Sequence, residues 1–111
     1  MVKQNKDYGY EIQKLYLEMM LSDAETFVRC QSIFDYTLFD RKLQETADFV
    51  NKYVVQYNSL PTYDIVNKSC NMELKAADNL TEEHFNWLLD DFETFVRHKS
   101  LERAILKIGR A

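Results

Sequence analysis

A chain of 111 residues with 46% hydrophobic and 29% charged side chains is sized and composed for one folded domain, which excludes a disordered chain and a two-domain protein. Its net charge of −4, from 18 acidic against 14 basic side chains, argues against a surface devoted to DNA, where phosphate contacts dominate affinity. Apolar runs are only a few residues long and the N-terminus lacks an apolar signal centre, so no membrane span or secretory leader is expected and the chain reads as cytoplasmic.

Gly occurs only at positions 9 and 109 and Pro only at 61, a scarcity of breakers that predicts an all-α bundle of about five to six helices. The first helix is expected from about Tyr8 to Leu21, with Ile12, Leu15, Tyr16 and Met19 on its buried face. Ser22-Asp23-Ala24-Glu25 has capping-box spacing and predicts a short second helix carrying Phe27 and Val28. Cys30, Ile33 and Phe34 continue as an apolar connection to Phe39.

A third helix is expected from about Leu38 to Tyr57, with Phe39, Leu43, Ala47, Val50, Val54 and Tyr57 in one stripe. Asn58-Ser59-Leu60-Pro61 stops it, because the residue before a proline avoids the α region. Thr62 is placed to cap a short fourth helix whose apolar contacts come from Tyr63, Ile65 and Val66. Asn67 to Asn79 is the least structured segment by composition, and Thr81 with Glu82 and Glu83 then caps a long final helix.

That final helix carries two apolar faces. Phe85, Leu88, Leu89, Phe92, Phe95 and Val96 form the first, while Leu101, Ala104, Ile105 and Ile108 lie about half a turn away at roughly 100° per residue. No Gly or Pro separates them, so two packing partners explain the change better than a kink. Trp87 lies opposite Phe85 and Phe92, nearer the later face; it reads either as an interface residue or as packed under the 67–79 loop.

Charge is also divided along the helix. Asp78, Glu82, Glu83, Asp90, Asp91 and Glu93 precede Arg97, Lys99, Arg103, Lys107 and Arg110, with Glu102 the sole acid among the bases. Helix polarity accounts for this, since acids favour the N-terminal end and bases the C-terminal end. The other reading is weak contact of Arg97, Lys99, Arg103 and Lys107 with nucleic acid or an acidic partner.

Constellations for catalysis are missing from the sequence. Two glycines cannot build a phosphate-binding loop, and His84 and His98 lack metal-ligand spacing. Cys30 and Cys70 form no C-x-x-C pair and read as reduced, partly buried thiols. No nucleophile elbow occurs, and Glu82-Glu83 and Asp90-Asp91 read as solvated faces. No catalytic, cofactor or metal site is therefore expected in this chain.

The segment from Tyr10 to Val66 resembles the N-terminal domain of DnaB-type replicative helicases, in the version found in large tailed phages. The features that carry the resemblance are the acidic turn after the first helix and the aromatic connection Phe34-Asp35-Tyr36-Thr37-Leu38-Phe39. The basic helix start Arg41-Lys42 and the turn Asn58-Ser59-Leu60-Pro61 before Thr62-Tyr63-Asp64-Ile65-Val66 add to it. The segment from Phe92 to Lys107 is similar to the family's exit helix, through Val96-Arg97 and Leu101-Glu102-Arg103.

The resemblance implies a globular head over residues 1–96 and the start of a connector or hairpin over 97–111. It implies a collar role, in which the domain assembles with copies of itself and offers surfaces to primase and a helicase loader, in the host cytoplasm if the gene is a phage's. Trp87, Leu101, Ala104, Ile105 and Ile108 would serve as interface residues. ATP and Mg would belong to a P-loop motor domain, expected from the reading frame beyond Ala111 and having no counterpart in these residues. An unrelated small helical adaptor is the alternative, and a helical DNA-binding protein is the weaker third, because no helix has a dense basic face.

Overall fold

The computed structural model describes residues 8–77 and 79–109, with backbone only for 106–109. Five α-helices and one 3-10 turn make up the described chain: α1 Tyr10–Met20, α2 Ala24–Gln31, the turn Tyr36–Leu38, α3 Arg41–Tyr57, α4 Tyr63–Cys70 and α5 Glu82–Gly109. No strand occurs among the described residues. The expected all-α bundle with a long final helix is the architecture found.

Helix α1 is the central element, packed against α2, α3 and α5. Contact on several sides explains why its buried face is wider than the sequence pattern indicates. Tyr16 and Met19 are buried as expected, but so are Gln13, Leu17 and Met20, whereas Ile12 and Leu15 are only half-buried. Gln13 is a polar side chain in the core with both ends of its amide occupied. Its Nε2 donates to the Tyr8 carbonyl at 2.6 Å, and its Oε1 accepts from the Asp40 N–H at 2.6 Å.

Local hydrogen bonding moves several helix boundaries. Asp23, not Ser22, caps α2: its carboxylate accepts from the Thr26 N–H at 3.2 Å and the Thr26 hydroxyl at 2.6 Å. Ser22 instead closes α1: its hydroxyl donates to the Met19 carbonyl at 2.6 Å, and its N–H donates to the same oxygen at 3.1 Å. Helix α3 begins at Arg41, later than the predicted Leu38. Asp35 caps the preceding 3-10 turn, and Asp40 accepts from the Lys42 N–H at 2.9 Å to cap the helix itself.

The end of α3 is decided three residues before Pro61. Asn58 takes the left-handed conformation, φ 55°, and its N–H bonds the Val54 carbonyl at 2.8 Å. Asn71 ends α4 with φ 57°, after Thr62 caps its start by accepting from the Ile65 N–H at 3.1 Å. The segment read as least structured is therefore partly helical, and its loop is pinned. Both functions of the Asn67 amide bond the Leu74 backbone, at 2.8 and 3.0 Å, and Glu18 accepts from the Lys75 N–H at 3.0 Å. Leu74 is buried as a result.

Three apolar residues of the expected helices face outward: Tyr57, placed in the third helix's stripe, is 57% exposed, Val28 60% and Ile65, expected to supply apolar contacts, 38%. Tyr57 lies in the last turn of α3, and its ring meets Tyr53 at 4.6 Å between centroids. Val28 and Ile65 lie on short helices that bury only a narrow side, through Phe27 and Cys30 on α2 and through Val66 on α4.

The core that positions α5 is aromatic. Phe92 lies with centroids 5.6 Å from Tyr16, 6.1 Å from Phe34 and from Phe39, and 5.8 Å from Phe95. Leu88, Phe92 and Phe95 are fully buried, so the first stripe of the final helix closes the head as its spacing predicts. At the helix start, Thr81 and His84 act reciprocally. The Thr81 N–H donates to His84 Nδ1 at 2.9 Å, while Thr81 Oγ1 accepts from the His84 N–H at 3.4 Å, the capping-box arrangement with His in place of Glu.

Candidate interaction face of the long helix

Beyond Val96 the side of α5 that faces the head turns polar. Val96 and Ser100 line a groove of about 480 Å³ together with Phe34, Asp35, Tyr36 and Asn51. One turn further, Arg103 Nη2 donates to the Thr37 hydroxyl at 2.8 Å, and its Nη1 stands 3.9 Å from the Asp35 carboxylate. The contact of α5 with the connection between α2 and α3 thus continues past residue 97, through polar groups.

Because Arg103 faces the head, residues half a turn away face outward. Leu101 is 59% exposed and Ile105 58%, and Ala104 between them is also exposed. Trp87 is 39% exposed, its ring 6.3 Å from that of the buried Tyr16. The structure therefore brings Leu101, Ala104 and Ile105 together as one outward apolar patch, with Trp87 along the same helix. The side chains of Lys107 and Ile108, also assigned to this region, lie outside the described residues, as do Asp78 and Arg110.

The basic side chains do not form an isolated row. Arg97 pairs with Glu93 at 3.0 Å, Lys99 with Glu102 at 3.6 Å, and Arg103 with Asp35. His98 Nε2 is 3.3 Å from Glu102. Such exposed pairs add little stability, but they bring negative charge beside each of the three described bases.

The Asp35 carboxyl is held below its ordinary value, first by the Thr37 hydroxyl, with the Thr37 N–H and Arg103 adding to that and burial opposing it. The consequence has a definite sign. A carboxyl depressed in the folded state contributes stability that is fully present above its unfolded pKa, about 3.9, and is lost as pH falls through the lower folded value. Arg103→Gln should move the Asp35 titration midpoint upward, measured by carboxyl NMR, and still leave it below the ordinary value because Thr37 remains.

Other reactive groups are buried or partly buried. Burial pushes the Cys30 thiol up to about 11, and burial also raises Cys70, against a hydrogen bond with Thr46. Both cysteines are free. The Tyr16 hydroxyl, raised by burial and by the nearby Asp91, donates to that carboxylate at 2.6 Å. Among the described residues no group of three or more His, Cys, Asp or Glu side chains is placed to hold a metal ion. None of the helices described is long and apolar enough to cross a membrane.

Two features of this region escape sequence reading. The Asp35-x-Thr37 spacing is a recognisable side-chain turn, but its link to Arg103, 66 residues away, leaves no local signal. His84 as a capping partner stands where the usual pattern has Glu or Gln. No family model, curated protein or solved structure matches the chain.

Proposed function

We propose that this chain is the non-catalytic N-terminal collar domain of a DnaB-type replicative DNA helicase, acting by protein–protein contact with neighbouring copies, primase and a helicase loader. The observation that carries the reading is the outward patch of Leu101, Ala104 and Ile105 on a helix whose other face closes the head. Covering a side chain such as Leu or Ile is worth roughly 1.5–3 kcal/mol, so the patch favours a partner over water. The all-α head, the aromatic connection and the long exit helix are the features in which the chain resembles that family. DNA contact through Arg97, Lys99, Arg103 and Lys107 enters this reading only as a weak term summed over several copies, and it requires binding that falls steeply with salt.

The native gene product supplies the test. Its reading frame past Ala111 should encode a P-loop ATPase, and a stop codon at that point overturns the helicase reading in favour of a stand-alone helical adaptor. In the full protein, Leu101→Asp combined with Ile105→Asp should weaken assembly or primase capture by about tenfold or more, on the scale of a central interface residue. Helicity by circular dichroism should persist, because both side chains are already more than half exposed. Loss of the fold would assign the face to the core instead.

A further inference from the structure

Carboxylates neutralise most of the bases on this chain. Arg29, Lys52, Lys68 and Arg97 each pair with an acid one turn back along the same helix, and Lys99 and Arg103 are paired as well. Among the described residues, Lys14, Arg41, Lys42 and Lys75 stand in no ion pair.

All of these except Lys75 come together at one edge of the head. The Asp40 N–H donates to Gln13 Oε1 at 2.6 Å, which lays the start of α1 against the start of α3. Lys42 Nζ stands over the Tyr10 ring, 5.7 Å from its centroid. Lys14 follows Tyr10 by one helical turn on the same face of α1, and Arg41 opens α3 beside Lys42. Arg41 and Lys42 are exposed and Lys14 is half-buried. A chain of net charge −4 thus concentrates its unpaired positive charge in one place.

An apolar hollow of about 450 Å³ adjoins this edge, lined by Gly9, Tyr10, Glu11, Ile12 and Leu15. Ile12 and Leu15 have the spacing of core residues, yet the fold leaves them half-buried along its wall. Tyr10 belongs to both features, since its ring carries Lys42 and borders the hollow.

We infer that this edge and hollow together dock an acidic, leucine-bearing segment of a partner protein. Its carboxylates meet Lys14, Arg41 and Lys42, while one apolar side chain enters between Tyr10, Ile12 and Leu15. The inference is independent of the helicase reading and holds equally for a stand-alone adaptor. Complementary charge sets the sign of the occupant, and the hollow sets its second property. A nucleic-acid strand fits less well. Its phosphates repeat evenly, so a strand laid on the cations runs on to Glu11 and to Glu45, one turn beyond Arg41 on α3. A peptide can place its acids only where cations stand, and lysine and arginine both pair readily with carboxylates.

Fluorescence anisotropy with the full 111-residue chain tests the docking. The probe is a labelled synthetic peptide alternating glutamate with leucine, compared with hexaglutamate and hexathymidylate at low salt. The alternating peptide should bind at micromolar concentration, with hexaglutamate and hexathymidylate about tenfold weaker, because neither can fill the hollow. Lys14→Glu combined with Lys42→Glu should weaken the alternating peptide by about tenfold or more, through like-charge repulsion. Lys52→Glu combined with Lys68→Glu makes the same change in net charge at two ion-paired positions and should alter binding by less than about twofold. Leu15→Asn should weaken the alternating peptide by about threefold or more and leave hexaglutamate unchanged. Circular dichroism checks that each variant keeps its helices.

Absence of saturable binding at millimolar protein overturns the inference. An equal loss in the Lys52 and Lys68 pair also overturns it, by reducing the effect to overall charge. Hexathymidylate binding as tightly as the alternating peptide assigns the edge to phosphates instead. Hexaglutamate binding as tightly removes the hollow from the site.

Discussion

Phe92→Ala should remove about 3–5 kcal/mol of folding stability, the range for truncating a fully buried Phe. That is a large share of the roughly 5–15 kcal/mol available to a domain of this size. Phe92 has no exposed surface and touches rings from α1, from the connection between α2 and α3, and from its own helix. The cavity left behind borders Tyr16, Phe34, Phe39 and Phe95, whose rigid rings cannot readily collapse to fill it. Urea denaturation followed by circular dichroism should show the midpoint falling sharply at unchanged slope; a loss below about 1 kcal/mol would mean that the site relaxes or is not packed as described.

Gln13→Leu should cost about 2–4 kcal/mol, although it places a more hydrophobic side chain of similar size in the core. The substitution leaves the Tyr8 carbonyl without its amide donor and the Asp40 N–H without its acceptor. Both bonds are partly buried, and a buried group stripped of its partner costs about 1–3 kcal/mol, more than the added apolar contact returns. The Asp40 N–H lies at the start of α3, so the first turn of that helix should also lose amide protection. Native-state hydrogen exchange reads this directly. Unchanged protection at residues 40–44 would show that water or a rearranged backbone takes the amide's place.

These two positions differ in how far the sequence discloses them. Phe92 stands in the i, i+3, i+4 pattern of a helix with no breaker, and its burial follows from that pattern alone. Gln13 stands in a polar position between Ile12 and Lys14, and nothing local marks it as core. Its burial depends on α3 arriving alongside α1, with Asp40 delivered within 2.6 Å of its oxygen. The same division holds at helix ends. Thr62 as a cap is readable from position, whereas the structure turns Ser22 back onto the Met19 carbonyl and leaves Asp23 to cap α2.

The candidate face shows a similar split. The change of side between Val96 and Leu101 is periodicity, and it is visible without coordinates. Whether the later side is covered is not. The structure leaves Trp87 39% exposed, Leu101 59% and Ile105 58%.

What the sequence by itself determined was the all-α class, the long uninterrupted final helix and the presence of two apolar faces on it. Each depends on short-range causes: helix propensity, spacing along one helix and the scarcity of Gly and Pro. Only the tertiary structure decided that the later face is left to solvent. That choice follows from long-range contacts, above all Phe92 and Phe95 in the aromatic core and Arg103 turned onto Asp35 and Thr37. A helix has one rotational setting about its axis, and once these residues face the head, Leu101 and Ile105 must face out.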